Sequence, residues 1–276
     1  MPTKVSRRDI PDALLVKPVS KVQLRDERAD RCCGWERDPA VTATDENLRR
    51  LGELQYKMFA DARYAMLVVI QAIDGGGKDS SIRRVFSAFN PQGCNVTSFK
   101  VPSVEERAHD YLWRVHRHTP AKGEIAVFNR SYYEDVLVVR VSNLLPEAVW
   151  SKRYEQINDF ERLLVEAGTR VVKIFLHIGK AEQKVRFQER IDDKTKQWKF
   201  SLSDLDKRAQ WSEYQHAYEA VLSRCSTAVA PWYAVPANRK WFRDFAISQI
   251  LRRELETLPL KWPKPEWDPL KVQIPD

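Results

Sequence analysis

Nothing in this sequence is long and apolar enough to cross a bilayer. Every hydrophobic run meets charged or turn residues before the roughly 20 residues that a spanning helix needs. The opening stretch, Met1 to Asp30, is polar and charged and lacks the apolar core of a secretory signal. These absences predict a soluble, cytoplasmic protein with no membrane partner. Cysteine is scarce: Cys32, Cys33, Cys94 and Cys225 are all there is. The adjacent pair lacks C-x-x-C spacing and no nearby histidine completes a zinc site, so reduced thiols are the expectation and nothing argues for a structural metal. There is no internal repeat, no low-complexity segment and no convincing domain linker.

The chain does have apolar material for one substantial core, 43% of 276 residues, and a basic balance of 46 Lys and Arg against 38 Asp and Glu, net +8. That balance fits a polyanionic partner, whether nucleic acid, membrane or polyphosphate, and equally fits ordinary solubilising charge. Residues 1–44, with Pro2, Pro11, Pro18 and Pro39, predict an extended arm. Asp45 is placed to cap a helix through Leu48, Leu51, Leu54 and Met58. Met66 to Ile73 is a continuous apolar, β-branched run, the pattern of a strand buried on both faces. Further strands are expected at 96–101, 124–128, 170–177 and 232–235. Helices are expected at 105–118, 131–141, 147–167, 180–191, 205–222 and 241–258. The alternation specifies a three-layer α/β sandwich on a parallel five-stranded sheet, with residues 45–262 as one domain, a helical lid at about 180–210 and a proline-punctuated tail at 263–276.

The sharpest chemical signal is Ala72-Ile-Asp-Gly-Gly-Gly-Lys78, between the first buried strand and a helix. Glycines 75, 76 and 77 let backbone N–H groups turn toward a phosphate, Lys78 adds a full charge, and the helix start at Asp79 and Ser80 adds a partial one. The pattern departs from G-x-x-x-x-G-K-[ST] twice, at Ala72 and at Asp79. The alternatives are a dehydrogenase-like glycine turn or a loop with no ligand. With no hydroxyl after the lysine, Asp74, at the carboxyl end of the strand, is assigned the metal, and Asp79 is left between holding a metal-bound water and capping the helix. After the third strand comes Asn129-Arg130-Ser-Tyr-Tyr-Glu134-Asp135. Arg130 can grip a phosphate with its fork or hold the sheet edge to a carboxylate. One of Glu134 and Asp135 is expected at the site and the other on the surface. Arg186 and Arg190, four apart on the charged helix, form either a lid face over phosphates or a solvated surface. Lys100, Arg114, Arg117 and Lys122 extend the positive charge into a track that suits a long polyanion.

With these motifs go Asn90-Pro-Gln-Gly-Cys-Asn-Val-Thr-Ser-Phe-Lys100, His109-Asp-Tyr-Leu-Trp-Arg114, Lys173-Ile-Phe-Leu-His177 and Ala230-Pro-Trp-Tyr233. Together, from about Val41 to Trp262, the sequence resembles the polyphosphate kinase 2 family. The resemblance implies a thymidylate-kinase-like P-loop fold, Mg²⁺ (with Mn²⁺ as a substitute), inorganic polyphosphate with AMP, ADP and ATP as partners, no nucleic acid, and a homo-oligomer, dimer or tetramer. It places Asp74, Lys78 and Arg130 in the active site and Arg186 and Arg190 in the lid. Two departures stand out: Asn129 replaces a second acidic residue, and Gly75 and Gly76 replace alanines, which loosens the loop. The Asn-Arg-Ser-Tyr-Tyr-Glu-Asp form resembles the branch that phosphorylates both AMP and ADP, with Glu134 contributing to AMP acceptance.

The expected chemistry is in-line phosphoryl transfer. Lys78 and loop amides cradle the moving group, Asp74 holds the cation, Arg130 and Arg190 clamp, and Glu134 places the acceptor. The histidines are expected to be structural. The rivals are an ADP-only polyphosphate kinase, an ATP-dependent nucleotide kinase on the same fold, and a non-catalytic polyanion binder.

Overall fold

The run Ala65–Gln71 (strand β2) is buried at every position because both faces of its sheet are covered. Met66, Val68 and Ile70 enter one core, while Leu67 and Val69 enter the other. The computed structural model describes residues 10–275. Its sheet has six strands in the order β1-β6-β5-β2-β4-β3. The others are β1 (Leu15–Val16), β3 (Cys94–Ser98), β4 (Ile125–Asn129), β5 (Thr169–His177) and β6 (Trp232–Pro236). All neighbours are parallel except β1, which runs antiparallel to β6 with Leu15 opposite Tyr233.

The expected sheet of five strands is therefore corrected to six. The extra strand is two residues long and lies between Pro11 and Pro18, too short to show any alternation. It belongs to the arm, which is tied down onto the helix Trp211–Cys225 by long-range bonds: Val22 N to Ser223 Oγ at 2.9 Å and Leu24 N to Glu219 Oε1 at 2.8 Å. Part of that expected arm, residues 1–9, lies outside the described residues.

Helices α1 (Arg37–Asp61), α2 (Lys78–Val85) and α7 (Lys240–Glu256) cover one face of the sheet. Helices α3 (Arg153–Glu166) and α6 (Trp211–Cys225) cover the other. Between them in sequence come α4 (Lys180–Asp192) and α5 (Ser203–Ala209). Among the described residues, no helix is long and apolar enough to cross a membrane.

Helix α1 starts at Arg37, not at Asp45. Pro39 falls in its first turn, where a missing N–H is harmless, so the proline that suggested an extended arm instead sits inside a helix. Asp45 is mid-helix and pairs with Arg84. The expected helix 105–118 is broken in two, Val104–Ala108 and Trp113–His116, because Asp110 Oδ1 accepts from the amides of Leu112 and Trp113 and opens a new turn. Residues 131–141 likewise divide into a 3₁₀ turn, Tyr132–Asp135, and a helical turn, Val138–Val141.

The chain moves from β2 to β3 and β4 on one side, then crosses to β5 and β6 on the other. The crevice at the carboxyl end of β2 is thus the switch point where open α/β sheets bind ligands. Behind it, a buried polar cluster fixes the segment that follows β4. Lys173 Nζ on β5 meets Glu161 Oε2 of α3, Tyr133 Oη at 3.0 Å and the Cys225 carbonyl. Glu161 Oε1 accepts from Tyr132 and Tyr133 at 2.8 and 2.7 Å. This pins the tyrosine turn that directly follows Arg130.

Two outcomes are expected. Glu161→Ala leaves the Lys173 ammonium buried without its carboxylate, so urea unfolding should show a loss of about 3–5 kcal/mol. His177, at the end of β5, is held down to about 4 from 6.5, first by burial and then by Arg28, against Asp26. Between those values the unfolded chain binds the proton and the native one does not. Stability should therefore fall as pH drops from 6.5 toward 4, by roughly 3 kcal/mol. His177→Gln should flatten that part of the stability–pH curve measured by denaturant titration.

Candidate active site

The turn after β2 closes with Gly76 N donating to Ile73 O at 2.9 Å. Gly77 has φ +100°, left-handed, and caps α2. A Cβ at Gly76 would lie 2.5 Å from the Ala72 Cβ. At the helix start the amides of Lys78, Asp79 and Ser80 have no carbonyl one turn back to bond, which is the donor set of an anion cradle. Ser80 Oγ donates back to Gly77 O at 2.9 Å.

The loop is not loosened by its extra glycines. Its carbonyls are gripped from behind by α4: Gln183 Nε2 donates to Asp74 O at 2.7 Å, and Arg186 Nη1 donates to Gly75 O and Gly76 O at 3.0 and 3.2 Å. Arg186 also donates to Ala237 O, to Asn238 O and to Glu182 Oε1, and is 5% exposed. This corrects the expected lid face: Arg186 points into the protein and braces the loop, with no donor edge turned outward. Arg190, four residues on, is half-buried, lies over the Phe187 ring at 5.5 Å and reaches Lys199 O at 3.4 Å. The two arginines do not share a surface.

In front of the loop, Asp74 is held by two cations. Its Oδ1 is 2.8 Å from Arg130 Nη2 and its Oδ2 is 2.9 Å from Lys207 Nζ of α5. Burial alone raises the Asp74 pKa, but the opposing pull of Lys78, Arg130 and Lys207 wins and holds the carboxyl well below the usual range. It is ionised at any working pH. Lys78 is buried, its Nζ donating to Ala72 O at 2.9 Å; burial lowers its pKa, with Asp74 resisting. Arg130 sits at φ +64°, strained for a side-chain-bearing residue, with its amide donating to Ile70 O at 3.1 Å. That kink turns the guanidinium from the end of β4 onto Asp74.

Asn129 Nδ2 donates to Asp79 Oδ1 at 2.7 Å. Asp79 is in the first turn of α2 but is not the cap, which is Gly77. Glu134 lines the crevice. With the Gln71 amide oriented to accept from Ser131, its nitrogen donates to Glu134 Oε1 at 3.1 Å, an orientation chosen by the hydrogen-bond network. Asp135 is not surface as the alternative had it. It turns away to pair with Arg153 at 2.8 Å, and burial pushes it up to about 6 against that arginine. The remaining wall of the crevice is apolar and aromatic: Leu137 and Val138 on one side, Tyr214 and Tyr218 of α6 on the other.

The proposed track is only partly assembled. Arg114 is buried, its Nη1 donating to Lys100 O at 2.9 Å and lying 3.5 Å from Glu106, with the guanidinium over the Phe99 ring, so it ties the segment at Lys100 to the helix it stands on. Lys100 and Lys122 are exposed, and Arg117 is exposed over the Trp113 ring.

Sequence reasoning missed Lys207, Gln183 and the tyrosine pair. Tyr214 and Tyr218 carried a usable signal, a four-residue spacing on one helix face. Lys207 and Gln183 sit among many other polar residues and carried none.

The donor set fits a small hard divalent cation. Asp74 offers an ionised carboxylate beside the loop. Among the described residues no three acidic, His or Cys side chains converge, so the remaining oxygens would come from phosphate and water, as Mg²⁺ prefers.

A glycine turn between a buried parallel strand and a helix start, with a lysine and an ionised aspartate at the switch point, defines a P-loop phosphate-binding protein. Residues 36–261 match the family model described as polyphosphate kinase 2. The chain belongs to the polyphosphate kinase 2 family. It is 48% identical over 261 residues to an AMP/ADP-polyphosphate phosphotransferase from Meiothermus ruber, covering 94% of this chain and 98% of that one. An ADP-polyphosphate phosphotransferase from Rhodopseudomonas palustris is 46% identical, with 79% of each covered. The crystal structure of polyphosphate kinase 2 from Arthrobacter aurescens TC1 superposes with a TM-score of 0.85 at 39% identity, covering 92% of this chain and 94% of that one.

The Lys207–Asp74 contact predicts a coupling between α5 and the loop. Lys207→Ala and Asp74→Asn should each raise amide hydrogen exchange in residues 203–209 by roughly two- to fivefold, as loss of a partly exposed ion pair would.

Proposed function

We propose that the protein transfers the terminal phosphoryl group of inorganic polyphosphate to AMP, giving ADP, and to ADP, giving ATP, and runs in reverse when ATP is abundant. The observation that carries this is the ionised Asp74 between Arg130 and Lys207, set against the loop and Lys78 and opening onto an aromatic wall. One side of the crevice suits phosphates and the other suits a flat base. The naming of the Meiothermus relative, similar along nearly its whole length, supports the dual acceptor.

An anionic oxygen of the acceptor's end phosphate attacks the terminal phosphorus of the polymer. A new P–O–P bond forms as the old one breaks, and the shortened chain leaves with the electron pair. No base is required, since the nucleophile carries no proton. Lys78 and the amides of α2 would hold the transferring group, and Arg130 would stabilise charge on its equatorial oxygens. Glu134 would orient the acceptor, and Leu137, Val138, Tyr214 and Tyr218 would cover the base and exclude water. Asp74 would hold Mg²⁺ or Mn²⁺, which supplies charge neutralisation across the phosphates when bound. Lys207, released from Asp74, would then be free to face phosphate as α5 closes, while α4 stays fixed on the loop through Gln183 and Arg186. The proposal includes a cytoplasmic location and a homo-oligomer.

Purified enzyme with Mg²⁺, polyphosphate and AMP should produce ADP first and ATP after it, followed by ion-pair chromatography or ³¹P NMR. Lys78→Ala should lower the rate by about 10²–10³-fold or more with folding intact. Transfer from ATP but never from polyphosphate would make it a nucleotide kinase. ATP from ADP with AMP untouched would restrict it to a single acceptor.

A further inference from the structure

Two guanidinium groups stand behind the phosphate loop, and only one is fully engaged. Arg186 spends its donors on carbonyls of the loop and of residues 237 and 238, and on Glu182. Arg243, near the start of α7, is 1% exposed. Its Nε and Nη2 lie 2.9 and 2.8 Å from Asp244 Oδ1. Its Nη1 is buried and, among the described residues, has no hydrogen-bond partner. That nitrogen sits 2.1 Å from the point where a Cβ on Gly77 would stand, with the guanidinium carbon at 3.2 Å.

A buried, charged donor with no acceptor costs the ligand-free fold free energy. An apolar side chain of similar length would fill the same space without that cost. The location suggests where the cost is recovered. Gly77 is the left-handed residue that opens the first amides of α2, and Lys78 follows it. Arg243 therefore touches the loop at its hinge, on the same side as Arg186, whose Nη1 is 3.4 Å from the same point.

We infer that Arg243 is a positioning residue of the phosphate loop, its unpartnered Nη1 filling the side-chain space of Gly77 and favouring the state of the loop that holds a chain of linked phosphates. This rests on the phosphotransferase reading above and extends it to a residue of the C-terminal helix. It also adds a second obstacle to a side chain at position 77, beside the left-handed φ: a guanidinium fixed by Asp244 rather than a movable surface group. With an anion in front of the loop, the charge on Nη1 acts through the Gly77 peptide without crossing bulk water, where screening is weak.

The test uses Arg243→Met, Arg243→Lys and the double variant Arg243→Met/Asp244→Asn, which leaves no orphaned carboxylate if the single change folds poorly. Tripolyphosphate binding is measured by titration calorimetry without nucleotide, Tm with and without tripolyphosphate, and KM and kcat for polyphosphate separately. Both methionine variants should bind tripolyphosphate about ten- to a hundredfold more weakly. KM should rise more than kcat falls. The double variant's ligand-free Tm should equal or exceed that of wild type, while its Tm gain on adding tripolyphosphate shrinks. Arg243→Lys, which keeps the charge, should recover most of the affinity. The inference is overturned if the double variant binds as wild type does, if its ligand-free Tm falls in step with its affinity, or if lysine is as poor as methionine. Wild type that neither binds tripolyphosphate nor transfers phosphoryl groups would defeat the proposed function itself; unaffected variants beside an active wild type would defeat only this inference.

Discussion

The charge on Asp74 governs the arrangement of everything around it. A carboxylate at the mouth of a phosphate site is costly, because it repels the ligand and loses solvation as the strand end is covered. It persists here because Lys78, Arg130 and Lys207 surround it, and two of them contact it directly. Those cations come from three separate parts of the chain: the loop, the end of β4 and the short helix α5. The carboxylate is thus the point at which α5 and two strands of the sheet are electrostatically joined. A cation that took over Asp74 would release Lys207 and leave Arg130 directed at the same space. One exchange of partner would convert a self-satisfied crevice into a binding site with surplus positive charge.

Such an exchange works only if the loop itself does not yield. Its rigidity comes from carbonyls held at the rear by Gln183 and Arg186, so that the peptide planes carry their N–H groups toward the front. Arg130 is held by the opposite device, a strained left-handed backbone anchored on Ile70 and backed by the Lys173–Glu161–tyrosine cluster. Both sides of the crevice are thus fixed by buried polar contacts, which specify one geometry where apolar packing alone would tolerate several.

The sheet was legible in the sequence wherever strands were long and buried on both faces, because a continuous β-branched run has few other meanings. The two-residue β1 was not, since two residues carry no period. The start of α1 was misplaced because Pro39 was weighed as a breaker, when in a first turn it is neutral. Asp74, Lys78, Arg130 and Glu134 were legible as a group because motif and strand end coincide, and they do converge. Arg186 and Arg190 show the limit of helical spacing: being four apart puts two side chains on one face, but the tertiary setting decides whether a guanidinium looks out or in. Arg186 found five backbone or carboxylate acceptors within reach of the interior. Lys207 was invisible because its partner lies 133 positions away, and no local pattern encodes a contact of that range.

The departures from the usual loop pattern prove to be coupled by geometry. Asp79 takes the place of a hydroxyl and brings a second carboxylate to the helix start. Asn129, across the crevice at the end of β4, donates to it at 2.7 Å. An acidic residue at 129 would put two carboxylates at hydrogen-bonding distance, and one would have to hold a proton or move away. An amide there donates to Asp79 instead, while Asp74 is held separately by Arg130 and Lys207. Ala72 and Gly76 also meet: a Cβ at 76 would lie 2.5 Å from the methyl at 72 and 2.9 Å from the Ile73 carbonyl, so the alanine adds to a backbone obstacle at a position where glycine stands. What reads as two defects against a consensus is one consistent solution, in which each unusual residue is matched to the neighbour it touches.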